Sequence, residues 1–228
     1  MVHARGERFV ARRRCQGAPC SGAALGHEGT RQYGVAPGRR IGRYPRWVET
    51  RIRVLPSAEL GAAEWRTLTA LCIAAFEEPW DDYWDNIGPG VHVIAEGTGR
   101  GIVAHAAMVD RLLYSGDLTL QAGYVEAVAV WPDFQRSGLG TQVMEVIDRM
   151  LDEGYELGAL GTGNHDFYAR LGWVVWQGPT WIRERDGTLR RSPDEDGDIM
   201  VRLTPATPPG LNLSLPIAVD WRPGSEVW

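Results

Sequence analysis

The chain has 228 residues, 44% of them hydrophobic, enough for one sizeable core and an appendage. Its formal net charge of −5 argues against a nucleic-acid partner. No apolar run approaches the roughly 18 residues that cross a bilayer, and the first residues lack the charged-then-apolar pattern of a secretory signal, so neither membrane insertion nor secretion is expected.

Charge is unevenly placed. Residues 1–50 hold ten Arg against three Glu, a net of +7, and the remainder carries −12. All 24 basic residues are arginine. An acidic body attracts a cationic partner, although a negative surface also serves plain solubility. The three cysteines, Cys15, Cys20 and Cys72, are an odd count without framework spacing, which points to the reducing cytoplasm.

Residues 1–46 include ARRRCQGAPCSGAALGHEGTRQYGVAPGRR, with no helical or strand period. They read as a disordered extension or a misplaced start codon, with a basic arm for an acidic surface as the alternative. Cys15 and Cys20 lack a second Cys/His pair at ligand spacing, so no metal is expected there. Residues 47–228 read as one folded domain.

RWVETRIRVLP alternates as a strand does. SAELGAAEWRTLTALCIAAFEE has the period of a helix, with Ser57 as cap, Leu60, Glu64, Leu68, Leu71, Cys72 and Ala75 at helical spacing, Glu64 the one polar member, and Pro79 as the stop. PWDDYWDNIGPG is an aromatic and acidic loop. VHVIAEGTGRGIVAHAAMVDRLLYSG predicts a strand, a tight turn and a longer strand, and LTLQAGYVEAVAVW another long strand. SGLGTQVMEVIDRMLDEG is amphipathic, with Leu139, Val143, Val146, Ile147, Met150 and Leu151 sharing a face. YELGALGT reads as a short buried strand and NHDFYARLG as a short helix between Asn164 and Gly172. WVVWQGPTWIRE and GDIMVRLTP read as strands around the acidic loop SPDEDGD. The order of elements describes an α+β fold built on a mixed α/β sheet.

Strict alternation along GYVEAVAVW places Tyr124, Glu126, Val128 and Val130 on one face and Val125, Ala127, Ala129 and Trp131 on the other. Glu126 is thus an acid among apolar neighbours. Buried, it acquires a raised pKa suited to a general base; on a strand with one wet face it is merely solvated. QRSGLGT follows the strand and opens a helix. Free amides in the first turn, two glycines and the helix dipole make a cradle for a pyrophosphate. The dinucleotide and P-loop patterns are both missing.

The turn Gln135-Arg136-Ser137-Gly138-Leu139-Gly140 resembles the acetyl-CoA loop of the GNAT N-acetyltransferase superfamily. That resemblance implies a mostly antiparallel central sheet, flanked by helices and splayed at the acetyl-CoA site. It implies pantetheine pairing along Val128, Ala129 and Val130, and Tyr168 as the acid that protonates the departing thiolate. GYVEAVAV, YELGAL, FYARLGWVVWQGPT, SPDEDGDIMV and DWRPGSEVW are similar to the aminoglycoside 2′-N-acetyltransferases over residues 50–228. For that family the resemblance implies acetyl-CoA as co-substrate, no metal, a cytoplasmic homodimer, and an aminoglycoside acetylated on its 2′-amine. It implies Glu126 as a base acting through water and as a substrate contact. Asp82, Ala127, Gly161, Asp194, Glu195, Glu226 and the carboxylate of Trp228 are implied as further drug contacts. A polycationic drug asks for carboxylates and few competing cations, and the faces of Trp80, Tyr83 and Trp84 suit a sugar. Relatives carry serines where this chain has Gly161-Thr162-Gly163. Two alternatives remain: a GNAT enzyme for another polyamine or a cell-wall amino sugar, and a non-catalytic module that binds CoA or sequesters a drug.

Overall fold

The computed structural model describes residues 31–33, 50–80, 82–224 and 227–228. In chain order the elements are β1 (Arg31–Tyr33), β2 (Thr50–Pro56), α1 (Ala62–Phe76), α2 (Tyr83–Ile87), β3 (Val91–Gly97), β4 (Gly101–Ser115) and β5 (Leu118–Val130). Then come α3 (Leu139–Gly154), β6 (Leu157–Gly161), α4 (His165–Ala169), β7 (Val174–Val175), β8 (Thr180–Arg183), β9 (Leu189–Arg191), β10 (Ile199–Leu203) and β11 (Ile217–Asp220). The described strands form one mixed sheet whose main path runs β1-β2-β3-β4-β5-β6-β10-β7.

Strands β1 to β5 pair antiparallel in sequence order. Parallel strands need a crossover connection, usually a helix; α3 supplies it, and β6 lies parallel to β5. β11 pairs antiparallel with the far end of β4 at Leu113 and Tyr114, and parallel with β8. This is the mixed sheet expected from the order of elements.

Both sheet faces are covered. α3 buries Leu139, Val143, Met144, Val146, Ile147 and Leu151 against Val93, Ala104, Met108 and Val125. Gly123 and Gly158 let it close on the paired strands, since a Cβ at either would lie 2.5 or 2.6 Å from a Leu151 methyl. On the other face α1 buries Leu68, Leu71 and Cys72 against Leu55, Ile94, Ala127 and Ala129. Each such leucine contributes roughly 1.5–3 kcal/mol relative to exposure. A third cluster joins β5 and β6 to the last strands through Leu120, Tyr124, Trp176, Ile199, Val219 and Trp228.

Four expectations need correction. Ser57 does not cap α1: it opens a separate 3₁₀ turn, Ser57–Glu59. Leu60 and Gly61 are extended, and the Gly61 N–H is satisfied by the Glu64 carboxylate at 2.9 Å. The helix ends at Phe76, where Glu77 turns left-handed with φ 59°, before Pro79. WVVWQGPTWIRE is two strands, because the N–H groups of Gln177 and Gly178 donate to the Leu213 carbonyl instead of to a sheet neighbour. Arg31–Tyr33, inside a segment without strand period, pairs with β2. The expectations for residues 1–30 and 34–49, Cys15 and Cys20 among them, lie outside the described residues. Cys72 is fully buried, which pushes its thiol up to about 12 and makes it inert.

Candidate active site

The site is set by an irregularity in β5. His105 of β4 lies opposite Ala129, but Ala107 lies opposite Glu126, so β5 carries one extra residue in this stretch. Ala127 takes a left-handed φ of 51° to accommodate it. This is a β-bulge, and it reverses the alternation expected from sequence. Val125 packs toward α3, and beyond the bulge so do Val128 and Val130. Ala127 and Ala129 pack on the α1 face. Glu126, one residue from Val125, therefore shares the face of Ala127 and not that of Val128.

Glu126 is 7% exposed. The Tyr83 hydroxyl donates to its Oε2 at 2.7 Å, and Arg222 Nη1 donates to Oε1 at 2.6 Å. Burial pushes the carboxyl up, while the Arg222 charge and the Tyr83 hydrogen bond pull it back. The Arg222 Nη2 also donates to the main-chain oxygen of Trp228 at 3.3 Å. Arg111 donates to the carbonyls of Val227 and Asp220. Desolvation, then the like charge of Arg222, draws Arg111 down to about 10. The Trp228 indole N–H donates to Ser192 Oγ at 2.9 Å, beside the acidic loop. The C-terminal segment thus closes over Glu126 with Arg222 facing it. The expectation of few cations near the carboxylate is corrected here: an unpaired buried carboxylate is too costly, and the chain supplies its own counter-charge.

The cleft lies where β5 and β6 part. Their pairing covers Ala122↔Leu157, Gly123↔Gly158 and Tyr124↔Ala159 and then ceases. β6 continues with β10 to Gly161, while β5 continues with β4 to Val130. The splay implied by resemblance is therefore present, and it begins at the bulge. The turn after β5 has the form of an anion cradle. Arg136 and Gly138 are left-handed at φ 59° and 89°, Gln135 to Gly138 are exposed, and α3 starts at Leu139. A Cβ on Gly140 would stand 3.3 Å from the Phe167 ring, so glycine lets the first turn of α3 lie close against α4. Exposed amides at a 16-residue helix N-terminus fit a pyrophosphate.

Tyr168 lies on α4, 8% exposed, between the rings of Phe167 and Trp173. Burial pushes its hydroxyl above the ordinary tyrosine range. Asp82 precedes α2 and is exposed; its neighbour Tyr83 is the side chain that reaches Glu126. Gly161 ends β6, and a Cβ there would meet the Tyr124 hydroxyl at 3.5 Å. That hydroxyl is buried and has no hydrogen-bond partner among the described residues. Asp194 is exposed, and Glu195 lies near enough to Tyr124 to act on it electrostatically. The Ala127 carbonyl is turned to His105 Nδ1 at 2.9 Å. Glu226 lies outside the described residues. Among the described residues, no group of three or more His, Cys, Asp or Glu is placed to hold a metal ion. A separate groove of about 790 Å³, lined by Glu64, Glu96, Arg100, Trp131 and Phe134 among others, shares no residue with this cluster.

Tyr83, Arg111, Arg222 and Ser192 were not singled out from sequence as holders of Glu126 and its closing segment. All four nevertheless stand in the segments read above: Tyr83 in PWDDYWDNIGPG, Arg111 in VHVIAEGTGRGIVAHAAMVDRLLYSG, Ser192 in SPDEDGD and Arg222 in DWRPGSEVW. The signal that would have found Arg222 is the buried acid itself, which requires a partner.

Residues 58–176 match the model of the acetyltransferase (GNAT) domain. An aminoglycoside 2′-N-acetyltransferase from Mycolicibacterium fortuitum is 38% identical over 163 residues, covering 69% of this chain and 82% of that protein. A GNAT family N-acetyltransferase (YhbS) from Escherichia coli, solved in complex with CoA, superposes with a TM-score of 0.55 at 17% identity. That match covers 78% of this chain and 93% of that structure, and it concerns the fold alone. The splayed sheet, the cradle before α3 and these likenesses agree: the chain belongs to the GNAT acetyltransferases and, within them, to the aminoglycoside 2′-N-acetyltransferase family.

Proposed function

We propose that the chain transfers the acetyl group of acetyl-CoA to the 2′-amine of an aminoglycoside, which would confer resistance to the drug. The observation that carries this reading is Glu126, buried on a bulged strand where β5 and β6 part and held by Tyr83 and Arg222. The co-substrate supplies an activated acetyl thioester. The amides of Ser137 to Gly140 and the dipole of α3 hold its pyrophosphate, and the free edge of Val128 to Val130 aligns its pantetheine arm. The Val128 N–H polarises the thioester carbonyl.

Each Glu126 oxygen retains a lone pair beside the donor it already holds. Through a water on that lone pair, Glu126 takes the proton of the attacking amine. Tyr168, kept protonated by its burial, returns a proton to the leaving thiolate. Asp82, Ala127, Gly161, Asp194, Glu195, Glu226 and Trp228 face the drug, the carboxylates among them meeting its ammonium groups. The protein acts as a cytoplasmic homodimer in this reading.

The test is acetyl-CoA turnover, followed as free thiol, with kanamycin B and kanamycin A. Kanamycin B, with a 2′-amine, should be acetylated there, and kanamycin A, with a 2′-hydroxyl, should not. Acetate found at the 6′ or 3 position by NMR would overturn the regiospecificity. Turnover confined to other polyamines would favour a GNAT enzyme of different substrate, and binding without turnover a sequestering module.

A further inference from the structure

His92 and His105 take no part in the chemistry above, yet they are 2% and 0% exposed. They face one another from β3 and β4, with His92 Nδ1 2.9 Å from His105 Nε2. His105 Nδ1 lies 2.9 Å from the Ala127 carbonyl, and His92 Nε2 lies 2.9 Å from Ser57 Oγ. Ser57 Oγ in turn accepts the Gly90 N–H at 2.9 Å. Trp65 packs edge-on against His92, and Trp84 against His105.

The protons on the two rings are determined. A carbonyl only accepts, so His105 Nδ1 must carry hydrogen. Burial draws His105 down to about 3 and His92 to about 4, so both rings are neutral near pH 7. His105 Nε2 is then bare and accepts from His92 Nδ1–H. His92 Nε2 is bare in turn and faces the Ser57 hydroxyl, whose one proton has this nitrogen at 2.9 Å and the Gly90 carbonyl at 3.1 Å as acceptors. The ring donors run one way, from His92 to His105, and end on Ala127.

Ala127 is the left-handed residue of the bulge, in a conformation that alanine resists. The bulge leaves Ala127 and Val128 without a register partner in β4, and the His105 ring supplies a hydrogen bond to the peptide between them. That peptide is trans. In a planar trans peptide the C=O and N–H point in opposite directions. With its carbonyl turned to the His105 ring, the peptide sends the Val128 N–H the opposite way. Among the described residues, β5 has no partner strand on its β6 edge beyond Tyr124.

We propose that His105, oriented by His92, is a positioning residue for acetyl transfer: it fixes the Ala127–Val128 peptide so that the Val128 N–H faces the thioester carbonyl. This rests on the functional reading above.

Three measurements test it. In wild-type protein, long-range ¹H–¹⁵N correlation should show the Nδ1–H tautomer for both rings; an Nε2–H at either overturns the chain of donors. In His105→Leu the donor is gone, and kcat should fall roughly 10–100-fold, somewhat less than deletion of an oxyanion donor. KM for both substrates should stay within twofold. His105→Asn places an amide N–H near the position of Nδ1 and should restore most of kcat.

The ketone analogue acetonyl-CoA should shift the Val128 amide resonance in wild type and His105→Asn but not in His105→Leu. A folded His105→Leu protein with kcat within twofold of wild type, or with the Val128 shift retained, overturns the proposal. Should His105→Leu fail to fold, His92→Leu serves: His105 then loses its tautomer bias and kcat should fall two- to fivefold, while an unchanged kcat refutes the role of His92. A wild-type protein inactive on every aminoglycoside would remove the functional reading, whereas the tautomer and resonance measurements would still decide the peptide's orientation.

Discussion

At the scale of single residues, Glu126 carries the sharpest predictions. Glu126→Gln keeps shape and burial but takes no proton, so kcat should fall by roughly 10²–10⁴, measured by steady-state kinetics over a pH series. The loss should shrink as pH rises, because more of the drug amine is then already neutral. An unchanged kcat with a raised KM would make Glu126 a substrate anchor only. Arg222 offers a second, signed test. Its charge opposes the upward push of burial on Glu126. Arg222→Met removes that opposition, so the acid limb of the kcat/KM profile should move to higher pH. Stability should drop by about 3–5 kcal/mol, the usual scale for breaking a buried pair, read by urea denaturation. Tyr168→Phe should lower kcat with little change in drug affinity. An unaltered kcat would exclude Tyr168 as the acid.

At the scale of elements, the strand–turn–helix from β5 to α3 was legible in the sequence because its signals are local. Alternation, two glycines and a 3.6-residue stripe each depend on near neighbours. The bulge was not legible. Strict alternation assigned Glu126 to the face of Val128, and nothing in GYVEAVAV marks Ala127 as left-handed; the extra residue shows only in the register of β5 against β4. The same holds for Ser57, whose partners Gly90 and His92 lie more than thirty residues away.

Gly138, at φ 89° with open space around it, yields the cradle's test. Gly138→Asp adds strain and a negative charge beside the pyrophosphate, and calorimetry should show acetyl-CoA affinity lowered at least tenfold. The histidine pair supplies a stability test. Both rings are drawn below their ordinary value, so the unfolded chain binds protons first as pH falls. The stabilisation is complete above about pH 6.5 and is lost progressively toward pH 4. Unfolding free energies at pH 7 and 4.5 should differ by on the order of 3–5 kcal/mol from this pair. A His92→Gln/His105→Gln variant should lose most of that slope, and an equal slope in the variant would remove the pair as its source.

At the scale of the whole molecule, the last strands decide whether the site is complete. β11 bridges β4 and β8, and the segment beyond it sets Arg222 on Glu126 and the Trp228 indole on Ser192. DWRPGSEVW resembled its family, but its function from the sequence was reduced to carboxylates because its contacts are long-range. Trp228→Ala removes a side chain 6% exposed and should cost about 3–5 kcal/mol, with KM for the drug raised. Unchanged denaturation and KM would show that the segment closes the site by backbone alone.

The aromatic run beside Glu126 has an optical consequence. Phe76 stacks on Trp80 at 5.0 Å, Trp80 lies 4.0 Å from Tyr83, and Trp84 meets both Trp65 and Trp80 edge-on. Tyr83 couples this run to the carboxylate through its hydroxyl. An occupant that competes for Glu126 displaces that hydroxyl and moves the ring packed on Trp80. The indole emission of the protein should therefore change with occupancy, and a stopped-flow cell would follow binding without label, coupling enzyme or turnover.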